Sequence, residues 1–143
     1  MKSSRFAPVA AYLSALVCFL ALDTCWLALM GPRLYRPALS GLMAPNVDWV
    51  AAILFYLVYT GGLLVFAITP GRRVGRAFVA MQYGAMFGLV AYATYDLTNQ
   101  ATLRDWPWTL TLADIAWGTS VSAIAAAVAT RLTFPRGSRT AVQ

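Results

Sequence analysis

Apolar residues run almost unbroken through four stretches of the chain, at about residues 7–30, 48–69, 77–97 and 108–132. Each stretch reaches the ~20 residues an α-helix needs to cross ~30 Å of hydrocarbon. Helix-breaking residues fall between them: Gly31-Pro32 and Pro37, then Pro70-Gly71, then Pro107, with Pro135 after the last run. The pattern predicts an all-α membrane protein, a compact bundle of four transmembrane helices whose short connections make neighbours antiparallel. A single four-helix transmembrane domain covering residues 1–143 is the expected organisation.

Composition agrees with the pattern. The chain is 60% hydrophobic and 11% charged, against about 25% charged residues in an ordinary soluble domain. The net charge of +6 comes from basic residues placed between and beyond the apolar runs. That placement reads as topology and contact with anionic lipid, not as a nucleic-acid surface, because no basic helix face interleaved with exposed aromatics is present.

The distribution of Lys and Arg also sets an orientation. With the N-terminus cytoplasmic, that side holds eight basic residues: Lys2, Arg5, Arg72, Arg73, Arg76, Arg131, Arg136 and Arg139. The other side holds three, Arg33, Arg36 and Arg104. The bias predicts a multi-pass protein with both termini in the cytoplasm. Lys2 and Arg5 ahead of an apolar run resemble a secretory signal, but the run is long and lacks a small-residue cleavage site, so it is read as the first span.

Against this apolar background three aspartates stand out: Asp23, Asp96 and Asp114 lie inside the spans, while the other two acidic residues, Asp48 and Asp105, lie at their margins. An ionisable group at the centre of a spanning helix costs at least ~2.5–3.5 kcal/mol even on the most lenient scale. With alternating spans, all three aspartates fall at a similar depth in the outer part of the membrane. A shared polar interior is therefore expected.

Helical spacing assigns faces to their neighbours. Gly84, Gly88, Tyr92 and Asp96 recur every four residues, with Tyr95 and Asn99 beside the stripe. The Gly84-x-x-x-Gly88 seam invites close approach of another helix and turns Asp96 toward the bundle. Two D-x-x-W pairs, Asp23/Trp26 and Asp114/Trp117, each share a helical face. Trp26 is assigned first to the interfacial aromatic belt, with the cluster as its second reading, whereas Trp117 lies too deep for a belt and suits a pocket wall. Tyr56 and Tyr59 share a face of the second span, and their hydroxyls could reach the cluster or bond to nearby backbone. The fourth run, rich in Ala, Ser, Thr and Gly, is expected at the centre of the bundle.

The densest polar stretch, YDLTNQATLRDWP over residues 95–107, carries Tyr95, Asp96, Asn99, Thr102 and Arg104. It is expected to form a packed cap at the outer mouth, with Arg104 as the natural ionic partner of one of the aspartates. Cys18 and Cys25 lie seven residues apart on one helix, ~10 Å along its axis and too far for a disulfide. Both are read as buried packing residues, since an Asp before Cys25 fits a lipoprotein signal poorly.

This stretch, together with ALDTCWL, FYLVYTGGL and LADIAWG in the other spans, resembles a bacterial family of small four-helix membrane proteins catalogued as a domain of unknown function. The resemblance covers about Tyr12 to Ala126. It implies the topology and the importance of the aspartate-bearing motifs, and carries no activity, cofactor or substrate with it.

Three functions fit the sequence. The first is binding or transport of a proton, a cation or a small amphipathic ligand by Asp23, Trp26, Tyr92, Tyr95, Asp96, Asn99, Thr102, Arg104, Asp114 and Trp117. Four short helices leave little room for alternating access unless a homo-oligomer or membrane partner adds volume. The second is a membrane enzyme or subunit acting on a lipid, with paired carboxylates as acid and base or holding Mg2+. The chain has no histidine, G-x-S-x-G or H-E-x-x-H with which to specify it further, and it names no cofactor or metal. The third is a polar network that only locks the bundle together.

Overall fold

A computed structural model describes residues 6–133, so Lys2, Arg5, Pro135, Arg136 and Arg139 lie outside the described residues. Four long apolar helices make up the fold: α1 (Ala7–Leu39), α2 (Trp49–Arg73), α3 (Ala77–Thr102) and α4 (Trp108–Thr133). All four are long and apolar enough to cross a membrane, and the described residues contain no strand. This is a bundle of transmembrane helices.

Two of the expected breaks do not end a helix. At Gly31-Pro32 the α-helix Ala7–Met30 widens into a π-helical turn, Gly31–Tyr35, and continues as Arg36–Leu39. The second helix likewise passes through a π turn, Leu64–Ile68, immediately before Pro70, and continues as Thr69–Arg73. Proline lacks the N–H that an α-helix requires and its ring crowds the carbonyl four residues back. A wider i→i+5 turn beside the proline relieves both, so the helix continues instead of stopping. The first span therefore ends at Leu39 and not at Met30, and the third runs to Thr102 and not to residue 97.

Helix starts follow local chemistry. The Asp48 side chain caps α2, accepting from the Val50 and Ala51 N–H groups at 3.0 and 3.1 Å. Between α3 and α4 the connection is only Leu103–Pro107, with Asp105 in the left-handed region (φ 61°). At the other end, Arg72 Nη1 donates to the Ala7 carbonyl at 2.7 Å, tying the end of α2 to the start of α1.

α4 is the central helix, as its small residues predict, and it packs most closely on α3 and then on α1. The α3–α4 seam is antiparallel and nearly backbone to backbone. A Cβ added to Gly84 would lie 2.7 Å from the Ser122 carbonyl oxygen, and one on Gly118 would fall within the Tyr92 ring. Toward the arginine-rich end the core is alanine and branched aliphatic: Ala11, Ala15, Ala67, Ile68, Ala80, Ala125, Ala126 and Ala129 are fully buried. Toward the opposite end it becomes polar and aromatic. Cys18 is half-buried and Cys25 is exposed, so Cys25 is not the packing residue expected; both are free.

Candidate functional site

The half of the bundle away from the arginine-rich end gathers side chains from all four helices. α1 contributes Asp23, which is 6% exposed, and α4 contributes Asp114, which is 7% exposed. Asp23 Oδ2 accepts from the Tyr56 hydroxyl at 2.7 Å, and its Oδ1 accepts from Trp117 Nε1 at 3.0 Å. Asp114 Oδ1 accepts from the Tyr35 hydroxyl, which in turn accepts from Trp26 Nε1 at 2.9 Å. The two indoles stack on each other with centroids 4.5 Å apart and planes within 5°.

The two D-x-x-W pairs therefore exchange partners. The tryptophan of α4 serves the aspartate of α1 directly, and the tryptophan of α1 serves the aspartate of α4 through Tyr35. Trp26 is thus joined to the cluster. Its half-buried ring is held by one hydrogen bond and one stacked neighbour.

Tyr35 lies beyond the expected end of the first span, and the π turn is what brings it in. Twelve residues after Asp23 at ~100° per residue would place it ~120° off the Asp23 face. A turn that absorbs one extra residue reduces the offset to ~20°. Tyr59, on the face shared with Tyr56, takes a different partner. Its hydroxyl donates to Ser122 Oγ at 2.7 Å, while Ser122 donates onward to the Gly118 carbonyl at 2.6 Å. Both tyrosines turn inward, but only Tyr56 reaches an aspartate.

Asp96 differs from the other two carboxyls. It continues the Gly84, Gly88 and Tyr92 stripe that faces α4, and it is 0% exposed, so it faces the bundle as its spacing predicts. Neither of its oxygens has a hydrogen-bonding partner among the described residues. The ion pair expected from Arg104 does not form: Arg104 is exposed in the connection, and no ion pair occurs among the described residues. Because α3 stays helical through Thr102, the arginine is carried past the mouth of the bundle instead of folding over it.

One turn beyond Asp96 along the same helix, Gln100 enters a closed ring of hydrogen bonds. Trp106 Nε1 donates to Thr111 Oγ1 at 3.0 Å, Thr111 donates to Gln100 Oε1 at 3.0 Å, and Gln100 Nε2 donates to the Trp106 carbonyl at 2.8 Å. The cap expected of this stretch thus exists, but Gln100, Thr111 and Trp106 make it. Tyr95 lies on the exposed side against the Trp106 ring, Asn99 is half-buried, and Thr102 is exposed with its hydroxyl donating to the Thr98 carbonyl at 2.7 Å.

Tyr92 packs against Tyr59, with centroids 6.0 Å apart, and over Gly118. Its hydroxyl lies within electrostatic reach of Asp23, Asp114 and Tyr35, and Asp96 lies within reach of Asp114. No described residue hydrogen-bonds to the Tyr92 hydroxyl. Among the described residues no group of three His, Cys, Asp or Glu side chains converges as a metal site would require. The aspartates are stepped along α4 instead: Asp96 is nearest its first turn, Asp114 follows, and Asp23 lies beside Trp117.

Residues 8–131 match the family model described as "Predicted membrane protein (DUF2177)". The chain belongs to the DUF2177 family. No curated protein and no solved structure matches it. This DUF2177 protein thus holds a buried Asp/Tyr/Trp hydrogen-bond network among its four apolar helices.

Proposed function

We propose that this protein is an intramembrane binding protein whose polar half takes a positively charged or proton-donating ligand: a proton, a cation or the head of a small amphipathic molecule. The observation that carries the reading is Asp96, fully buried and with neither oxygen hydrogen-bonded among the described residues. A buried acceptor without a donor costs about 1–3 kcal/mol, and Asp23 and Asp114 show how this fold supplies donors where it needs them. A ligand bearing positive charge or N–H and O–H groups would satisfy Asp96 and offset that cost.

The apolar half supports binding over passage. Toward the arginine-rich end the buried residues are almost all alanine and aliphatic, and the buried hydroxyls of Thr60 and Thr130 have no hydrogen-bonding partner among the described residues. A proton or ion would find no continuous chain of polar groups there. On the orientation favoured by the basic residues, the site opens toward the outer side of a bacterial inner membrane, with both termini cytoplasmic.

The purely structural reading keeps a share of the cluster. Asp23 and Asp114 are already satisfied by Tyr and Trp donors, which makes them positioning residues that hold Trp26, Trp117 and Tyr35 in place. The test is native mass spectrometry of the protein and its Asp96→Asn and Asp23→Asn variants, extracted directly from membranes. Bound mass, or a cation-dependent rise in thermal midpoint, retained by the wild type and lost in Asp96→Asn supports the proposal. Identical behaviour of wild type and Asp96→Asn in both measurements refutes it.

A further inference from the structure

We propose that the last part of α1, residues 31–39, is a hinged lid on the polar half of the bundle, latched shut by the Tyr35 hydroxyl on Asp114. This deepens the preceding reading and rests on it for what the lid guards, which is access to the polar half from the end away from the arginines.

The lid is held by little besides its latch. From residue 24 through residue 58 no residue is buried, although Asp23 before this stretch and Tyr59 after it both are. Within it, the π turn Gly31–Tyr35 and the helical turn Arg36–Leu39 bury nothing. Segments with few buried contacts are the ones that open at low free energy. Among the described residues, the one side-chain hydrogen bond from residues 31–39 to another helix is that of Tyr35 to Asp114. The same hydroxyl accepts from Trp26 Nε1 at 2.9 Å.

The hinge lies at Gly31-Pro32. Pro32 and Pro37 have no N–H to give the preceding turn, so each leaves the helix one backbone hydrogen bond short. The backbone widens into a π turn at the first of them, and single π turns inside α-helices are frequent at functional sites. Gly31 leaves room for bending, since even a Cβ there would meet nothing within 4 Å. Trp26 precedes the hinge, and its stacking on Trp117 keeps the body of α1 against α4 whichever way the lid turns. Opening breaks both hydrogen bonds of the Tyr35 hydroxyl and frees an oxygen of Asp114, which is 7% exposed while the lid is closed. Closed is therefore the resting state.

The experiment uses the full chain in lipid nanodiscs, with Cys18→Ala and Cys25→Ala to clear the native thiols. Nitroxide labels go on the lid through Arg36→Cys and on the first turn of α4 through Thr109→Cys, both exposed positions. Double electron–electron resonance reads their separation. With Tyr35 in place one main distance is expected. Tyr35→Phe keeps the ring and removes the latch, so a second, longer distance should grow, with the open population rising about 3–20-fold, the range that interhelical hydrogen bonds in membranes support. Asp114→Asn keeps a weaker acceptor, should open the lid less, and carries the test if Tyr35→Phe does not fold. A control pair from Leu89→Cys and Thr109→Cys lies off the lid and should not move. An unchanged lid distance in both variants overturns the inference, and so does equal broadening of the control pair, which would mean that the whole bundle loosens. The labels report without any ligand, so a fixed lid leaves binding at Asp96 standing. A lid that moves while wild type and Asp96→Asn behave identically in native mass spectrometry and thermal midpoint supports the lid and overturns the preceding reading.

Discussion

Trp117 donates its indole N–H to Asp23 across 94 residues of sequence, at 3.0 Å, while Trp26, three residues from Asp23, serves Asp114 through Tyr35. The exchange joins the first and last helices at two levels, and the stacked indoles between them close the gap. Asp23 is thus an acceptor for two half-buried donors from two different helices. Replacing it with Ala strands the Tyr56 hydroxyl and the Trp117 N–H, at a cost of about 1–3 kcal/mol. Asp23→Asn keeps one acceptor oxygen and should cost less. Thermal unfolding in detergent should therefore rank wild type above Asp23→Asn and Asp23→Asn above Asp23→Ala.

Tyr35 links Trp26 to Asp114, so Tyr35→Phe removes two hydrogen bonds while keeping the ring. Interhelical hydrogen bonds in membranes average about 0.6 kcal/mol, with a maximum near 1.7, and a loss of this order is expected here. The same change frees the Trp26 indole, so tryptophan emission should shift. An unchanged spectrum and midpoint would mean that the π turn does not deliver Tyr35 to the cluster.

The α3–α4 seam predicts a contrast between two glycines. A Cβ on Gly84 would meet the Ser122 carbonyl at 2.7 Å, whereas one on Gly61 would meet nothing within 4 Å. Gly84→Ala should destabilise by about 1–3 kcal/mol through overpacking. Gly61→Ala should be neutral or slightly stabilising, because alanine is the better helix former. Equal effects would contradict the close backbone approach.

Topology follows from the basic residues at the turn joining α2 to α3. Reporter fusions at Gly75 and at residue 143 should both score cytoplasmic, and a fusion at Gly41 should score on the opposite side. A non-cytoplasmic score at Gly75 would invert the orientation and place the polar half toward the cytoplasm.

The four spans, the central place of α4 and the inward turn of Asp96 were legible because length and four-residue spacing are written directly in the sequence. Tyr35 was not legible. Gly31-Pro32 reads as a stop, and only a widened turn rotates a residue beyond it onto the Asp23 face. Arg104 was misread for the related reason that α3 continues to Thr102 and carries the guanidinium past the aspartates. Gln100 and Thr111 gave a weaker signal. Gln100 follows Asp96 by one helical turn, but nothing in the spacing identifies Thr111, on the next helix, as its partner. Interhelical pairing depends on crossing geometry, which a single chain's periodicity does not encode.

The central claim is that Asp96 is unlike its two neighbours, held without a partner while Asp23 and Asp114 are satisfied. The direct test is the thermal midpoint of Asp96→Ala beside that of Asp23→Ala, after bound lipid has been exchanged for detergent. Removing an unpaired buried carboxyl relieves a cost of about 1–3 kcal/mol, whereas removing a paired one incurs it. The account predicts that Asp96→Ala unfolds at or above the wild-type temperature while Asp23→Ala unfolds below it. A fall for Asp96→Ala as large as that for Asp23→Ala would contradict it.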